Sequence, residues 1–84
     1  MTRQELADIG YDDVVLLDPE YLDVAIDSIS HDRRLIYDYD KLVEAFMKNN
    51  DWSEDEAIER IEYNTIRSLT YVTNSPIIKY RFEE

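Results

Sequence analysis

The sequence has no cysteine, one glycine and one histidine, and these shortages exclude several kinds of chemistry. Without cysteine there is no disulfide framework, no thiolate metal site and no cysteine nucleophile. A single glycine, Gly10, does not supply the glycine-rich loop that binds phosphate groups. His31 falls in a predicted polar turn, where a solvated imidazole is expected. We therefore predict a protein that is not an enzyme and that has no metal site and no cofactor.

Pairs of acidic residues are the remaining candidates for metal binding. Asp38 with Asp40, or Asp12 with Asp13, could bind a hard cation weakly. Neither pair has the glycine-containing loop and the regular oxygen spacing of a dedicated calcium site. Because the chain contains twenty acidic residues, close carboxylate pairs also arise without a catalytic purpose.

Long apolar runs are also missing. No uninterrupted run approaches the roughly 20 residues that a membrane span needs, and residues 1–13 lack the apolar region of a signal peptide. The sequence therefore predicts a cytoplasmic protein that neither crosses nor binds a membrane.

Basic residues are few: nine Lys and Arg stand against twenty Asp and Glu, which gives a formal charge of -11. A folded surface with this charge repels phosphate backbones and anionic lipid head groups. Direct binding to nucleic acid is therefore not expected, and the predicted partner is a basic protein.

The chain of 84 residues has room for one domain, residues 1–84, with one modest core. Residues 1–12 are polar and are predicted to form a loose N-terminal arm. The apolar, β-branched residues 14–17 predict a buried strand that ends before Pro19. Residues 21–29 and 35–37 flank a short polar turn, which predicts an antiparallel hairpin.

The hydrophobic period changes after the hairpin. Apolar residues from Tyr39 to Met47 recur at three and four positions, which predicts a helix that Asp38 or Asp40 caps and that residues 49–51 end. Ser53 and Glu56 have the spacing of a capping box at the start of a second helix.

Trp52 precedes that cap and is predicted to pack on Ala57, and the apolar stripe of the second helix continues to about Leu69. Residues 77–82 then predict a last strand. The predicted fold is α+β, with the chain order βββααβ and a small antiparallel sheet that packs against a helical hairpin.

Three segments carry a resemblance to a known family: residues 30–39 (SHDRRLIYDY), 55–59 (DEAIE) and 63–71 (YNTIRSLTY). Across residues 14–80 the chain resembles a family of small uncharacterised proteins from bacteriophages and prophages of Gram-positive bacteria. The resemblance implies a phage protein that acts in the cytoplasm of the host cell, and it implies no particular chemistry.

Two groups of residues on the second helix are candidates for partner binding. Asp51, Asp55, Glu59 and Glu62 recur at four, four and three positions, which predicts a row of carboxylates along one side of the helix. The row is either a solvated outer face or a surface that mimics the phosphates of a nucleic acid.

The second group is Tyr63, Asn64, Arg67 and Tyr71. In a structural role, Asn64 would bond to the hairpin backbone and Arg67 to a carboxylate such as Asp38 or Asp40. In a binding role, the group would form a recognition patch, because Tyr and Arg are frequent in binding hot spots. The exposure of these side chains distinguishes the two roles.

The sequence thus predicts an accessory protein that binds a basic host protein, such as a defence nuclease or a transcription protein, as a nucleic-acid mimic. The alternative is a small structural or regulatory homodimer that pairs through an edge strand at residues 14–17 or 77–82.

Overall fold

The computed structural model describes residues 2–69 and 71–80, which form an α+β fold as predicted. Its elements are, in chain order, α1 (Arg3–Asp8), a 3₁₀ helix (Glu20–Ala25), β1 (Ile26–Ile29), β2 (Leu35–Asp38), α2 (Tyr39–Asn50), α3 (Glu54–Arg60), a π-helical segment (Ile61–Ile66), α4 (Arg67–Leu69) and β3 (Ile77–Lys79). The described part of the chain contains no helix with the length and the apolar character that crossing a bilayer requires.

The sheet has the strand order β1-β2-β3. Strands β1 and β2 are antiparallel, with Ile29 opposite Leu35, so the predicted hairpin is confirmed. Strand β3 pairs with β2 in parallel, with Ile78 opposite Tyr37. The prediction of a wholly antiparallel sheet is therefore wrong. The sheet is mixed because the chain between β2 and β3 passes through the helices and returns to run in the same direction as β2.

Residues 14–17 do not form the predicted strand. Leu17 is nevertheless buried, and its backbone N–H donates a hydrogen bond to the Tyr37 hydroxyl over 3.0 Å. An irregular segment can therefore bury apolar side chains without a strand partner, because a side chain satisfies its backbone donor. A homodimer cannot use this segment as an edge strand. Residues 81 and 82 of the other predicted edge lie outside the described residues.

Residues 21–25 are also not extended, because they belong to the 3₁₀ helix that precedes β1. Ala25 is completely buried in this helix, whereas Val24 remains 63% exposed. In a 3₁₀ turn, neighbouring side chains lie on different faces. Apolar and polar residues therefore alternate in the sequence as they do in a strand.

The N-terminal segment is helical over α1 instead of forming a loose arm. Thr2 and Glu5 form a capping box: the Thr2 hydroxyl accepts from the Glu5 N–H over 3.2 Å, and the Glu5 carboxylate accepts from the Thr2 N–H over 3.0 Å. Leu6 is buried in the core. The Arg3 guanidinium donates to the buried carboxylate of Asp23 from Nε over 2.9 Å and from Nη2 over 3.0 Å. These contacts hold the segment against the 3₁₀ helix.

Helix α2 begins where the sequence predicts. The Asp38 carboxylate caps it by accepting a hydrogen bond from the Lys41 N–H over 3.1 Å. The helix ends at Asp51, which adopts a left-handed conformation with φ of 56°. Asp tolerates this conformation better than most residues, so the helix ends without a glycine.

Helix α3 also begins at its predicted cap, because the Ser53 hydroxyl accepts from the Glu56 N–H over 3.3 Å. The Trp52 ring stacks on Phe46, with centroids 5.8 Å apart. This contact joins the turn between α2 and α3 to the core.

The fully buried residues of the core are Leu22, Ala25, Leu35, Tyr37, Leu42, Ala57 and Ile61. They come from the 3₁₀ helix, the sheet, α2, α3 and the π-helical segment, so α2 and α3 pack beside each other on one core.

Candidate protein-binding face

Three of the predicted carboxylates lie along one exposed flank of the helix that starts at α3. Asp55, Glu59 and Glu62 are all exposed, and their spacing of four and three positions places them on one side of the helix. We call these three residues the acidic flank. Asp51 is exposed but does not belong to the row, because it is the left-handed residue that ends α2. The prediction of four carboxylates on one helix is therefore wrong for Asp51.

A groove of about 310 Å³ lies between α2 and α3, next to the acidic flank. Its lining consists of Tyr39, Asp40, Val43, Glu44, Met47, Glu54 and Ile58, and we call it the anionic groove. The three carboxylates of the lining are exposed, whereas the three aliphatic side chains are buried or half-buried. The groove therefore has an apolar floor and a negatively charged rim.

Sequence reasoning missed this groove. Asp40, Glu44 and Met47 are spaced by four and three positions on α2, and Glu54 and Ile58 by four on α3. Each spacing places its residues on one face of a helix. The sequence shows both faces, but it does not show that they meet across the turn between the helices.

Tyr39 connects the anionic groove to the acidic flank. Its hydroxyl donates a hydrogen bond to the Glu62 carboxylate over 3.0 Å, and its ring packs on Tyr80 with centroids 4.8 Å apart. Burial, together with the hydrogen bond to Glu62, raises the pKa of Tyr39 to about 12. The Tyr39 hydroxyl therefore keeps its proton at neutral pH and holds Glu62 beside the groove.

Ion pairs occur in several parts of the described chain, and one of them, between Arg60 and Glu56, lies on α3 itself. They join Arg3 to Asp18 and Asp23, Arg33 to Asp13, Arg34 to Asp32, Arg60 to Glu56, and Lys79 to Asp27. Within residues 2–69 and 71–80, no basic side chain pairs with Glu44, Glu54, Asp55 or Glu59. Negative charge is therefore partly compensated around the hairpin, the N-terminal segment and Glu56, whereas these four carboxylates of α2 and α3 have no ion-pair partner among the described residues.

The two lysines of α2 lie in a different groove. This second groove has a volume of about 430 Å³ and runs between α2 and the 3₁₀ helix. Lys41 and Lys48 are part of its lining, together with Tyr21 and Val24. Neither lysine is part of the lining of the anionic groove. Glu44 belongs to the lining of both grooves, so α2 carries its two lysines in a groove that shares one carboxylate with the anionic groove.

The group of Tyr63, Asn64, Arg67 and Tyr71 is exposed, as a binding role requires. Tyr63 is 67% exposed and Tyr71 is 87% exposed. The Arg67 guanidinium lies 5.3 Å from the centroid of the Tyr63 ring, and Asp38 caps α2 instead of pairing with Arg67. This exposure argues against the structural role, in which Asn64 and Arg67 would form hydrogen bonds within the fold.

The helix that carries the acidic flank also carries Tyr63, Asn64 and Arg67, whereas Tyr71 lies in the turn after α4, and the helix changes its geometry at Ile61. Residues Ile61–Ile66 form a π-helical segment, which the sequence pattern did not predict. π-helical turns are rare and occur frequently at functional sites. Here the segment carries Glu62 and Tyr63, where the acidic flank meets the exposed tyrosines.

The chain matches no family model, and no similar curated protein or solved structure was found. The resemblance to phage proteins therefore stays a prediction.

Proposed function

We propose that the chain is a non-enzymatic accessory protein that binds a basic protein through one face, formed by the anionic groove and the acidic flank. The observation that supports this proposal is the uneven distribution of charge. The carboxylates of Glu44, Glu54, Asp55 and Glu59 belong to α2 and α3, which pack together, and they have no ion-pair partners among the described residues. Other acidic residues, such as Asp23 and Asp27, are paired.

The physical basis of binding is electrostatic attraction to a surface that is already ordered. A concentrated negative potential attracts a cationic partner over a distance and orients it during encounter. Helices α2 and α3 fix the carboxylates before binding, so little backbone entropy is lost when the partner docks. The exposed rings of Tyr63 and Tyr71 extend this face with apolar contact area.

We further propose that the partner uses the same cationic surface to bind nucleic acid, so that this chain and nucleic acid compete. A basic protein surface that recognises phosphates does so largely through charge, and carboxylates on a rigid scaffold meet the same requirement. The predicted phage origin would place this competition in the host cytoplasm, with a host defence or transcription protein as the partner.

Capture from a bacterial lysate tests this proposal. The immobilised protein is incubated with lysate of a Gram-positive bacterium at low and at high salt, with and without added DNA, and bound proteins are identified by mass spectrometry. We expect a basic nucleic-acid-binding protein that is retained at low salt and released both by high salt and by DNA. Retention that neither salt nor DNA reduces would contradict the proposal.

The alternative of a small homodimer is supported by the exposure of Tyr63, Tyr71 and Val72, which are 67%, 87% and 40% exposed. Apolar side chains of this kind often become buried in an interface. Sedimentation equilibrium distinguishes this alternative, because a dimer has twice the chain mass of 10.1 kDa. A monomer across the concentration range would exclude it.

A further inference from the structure

The lining of the anionic groove indicates which chemical group it binds. The charge of the whole face indicates only that the partner is cationic. Its floor is aliphatic, with Val43 only 7% exposed, and its rim is formed by carboxylates. A fitting group therefore has an apolar part that covers the floor and a cationic end that reaches the rim. Long basic side chains combine these properties, because they bury a hydrocarbon stem while the charged head stays near water.

The arrangement of the rim argues against a compact metal ion. Among residues 2–69 and 71–80, no three acidic or histidine side chains are placed to hold a metal ion together. Asp40 and Glu44 approach the groove from α2, whereas Glu54 approaches from α3. Carboxylates that are spread around a rim suit a cation whose charge and donors are also spread.

The groove is small for a ligand site. Its volume of about 310 Å³ lies at the lower end of the range of roughly 300–1,000 Å³ that is typical for small-molecule sites. The Tyr39 ring forms part of the lining, and the hydrogen bond to Glu62 holds it in place. A tyrosine ring at this position can stack against a planar cation.

We propose that the anionic groove binds the side chain of one arginine of the basic partner. The inference rests on the proposed function, because it identifies what the face recognises. The methylene stem packs on Val43, Met47 and Ile58, and the guanidinium lies between the carboxylates of the two helices. Arginine is favoured over lysine because its guanidinium is more weakly hydrated, offers five donors in a fixed plane and stacks on aromatic rings.

A small arginine derivative tests the inference without the partner. N-acetyl-arginine amide, which has no charged termini, is titrated into the full chain while methyl resonances are followed by NMR. We expect saturable shifts at the methyl groups of Val43, Met47 and Ile58. The matching lysine derivative should bind about threefold more weakly, and the uncharged citrulline derivative should give no saturable shift. Equal binding of lysine, equal binding of citrulline, or no shift with arginine would each overturn the inference.

Neutral variants of the rim provide a second measurement on a folded protein. Glu44→Gln combined with Glu54→Gln removes two exposed negative charges and should weaken binding of the arginine derivative about fivefold. Asp8→Asn combined with Asp12→Asn removes the same charge from an exposed region outside the groove and should leave the binding unchanged. An equal loss in both double variants would overturn the inference, since it would show a response to net charge alone.

The failures of the two proposals are distinguishable. If lysate yields no basic partner but the arginine derivative shifts the groove methyl groups, the proposed function fails and the arginine site stands. If a basic partner binds through the acidic flank while the derivative leaves the groove unchanged, the arginine site is overturned and the proposed function stands.

Discussion

The ion pair between Arg3 and Asp23 is the main polar contact that fixes the N-terminal segment. Asp23 is only 4% exposed, and its carboxylate accepts from the Arg3 backbone N–H as well as from the Arg3 guanidinium. A buried carboxylate without its partner is costly, because it has lost hydration and gains no compensating charge. Removing the guanidinium should therefore affect the whole fold.

We predict that Arg3→Ala lowers the free energy of unfolding by about 3 kcal/mol, the lower end of the range for a broken buried pair, since Arg3 itself is partly exposed. Urea denaturation followed by circular dichroism measures the change. Arg33→Ala is the matched control. It breaks the exposed pair with Asp13 and the contact of the guanidinium with the Tyr11 ring, and it should cost much less stability than Arg3→Ala. Equal losses in the two variants would contradict this account of Asp23.

Tyr39 should make stability depend on alkaline pH. Its pKa is raised from 10.0 to about 12 in the folded protein, so the folded state holds the phenol proton more tightly than the unfolded state. Between these two pH values the folded chain binds more protons than the unfolded chain, and stability falls as pH rises. Urea denaturation at several pH values from 9 to about 12 measures this fall.

The comparison variant is Tyr39→Phe, which has no proton to release. Its stability should fall less steeply over the same pH interval, although buried Tyr37, whose pKa burial also raises, contributes a decrease to both proteins. Identical pH dependence in the wild type and the variant would show that neither burial nor the hydrogen bond to Glu62 raises the pKa of Tyr39.

At the scale of elements, α2 is central because it borders both grooves and packs against the 3₁₀ helix, β2 and α3. Its start is fixed by Asp38, whose carboxylate accepts from the Lys41 N–H. The same cap sets where Asp40 and Glu44 lie along the rim of the anionic groove. Fraying of the first turn would therefore disturb the groove as well as the fold.

We predict that Asp38→Ala lowers the free energy of unfolding by about 1 kcal/mol, the usual cost of losing an N-cap. Asp38→Asn removes the charge but keeps a side-chain oxygen at the cap, so it should stay within a few tenths of a kcal/mol of the wild type. Thermal denaturation of both variants measures the difference. A loss in Asp38→Asn as large as that in Asp38→Ala would indicate that charge, and not the cap, is responsible.

Elements with strong local signals could be predicted from the sequence. The polar turn before Leu35 identified the hairpin, and the caps Asp38 and Ser53 identified the starts of α2 and α3. Helix α1 also has such a signal, because Thr2 and Glu5 have capping-box spacing, but its polar surroundings suggested a loose arm. Local chemistry determines where these helices begin, but a capping pattern predicts a helix only where an apolar stripe follows it, as it does in α2 and α3.

Elements that depend on distant contacts could not be predicted. Residues 14–17 are apolar like a strand, yet the hydroxyl of Tyr37, twenty residues away, satisfies the Leu17 N–H. The parallel pairing of β3 depends on the path of the chain through the helices. The anionic groove exists because the turn between the helices brings Glu54 of α3 to the same groove as Asp40 and Glu44 of α2, which no sequence period encodes. The π-helical turn likewise left no local signal.

At the scale of the whole molecule, net charge alone is a weak guide to function. The formal charge of -11 was evident from composition, but composition does not show where the charge is compensated. Ion pairs such as Arg34–Asp32 and Lys79–Asp27 neutralise part of the hairpin and sheet. Asp55 and Glu59 of the acidic flank have no ion-pair partner among the described residues, although Arg60 and Arg67 lie on the same helix.

The most direct test of the central claim is the affinity of the captured basic protein, once purified, for a variant with a neutral acidic flank. Asp55→Asn, Glu59→Gln and Glu62→Gln together remove three negative charges without changing the size of the side chains. Isothermal titration calorimetry over a series of salt concentrations measures both the affinity and its salt dependence.

The control variant has the same net charge but an intact flank. It carries Asp8→Asn, Asp12→Asn and Glu20→Gln, which are exposed positions outside the acidic flank and the anionic groove. We predict that the flank variant binds about tenfold more weakly at low salt, with a flatter salt dependence, and that the control stays close to the wild type. Equal affinities of the two variants, whether both unchanged or both reduced, would contradict the claim that this face binds the partner.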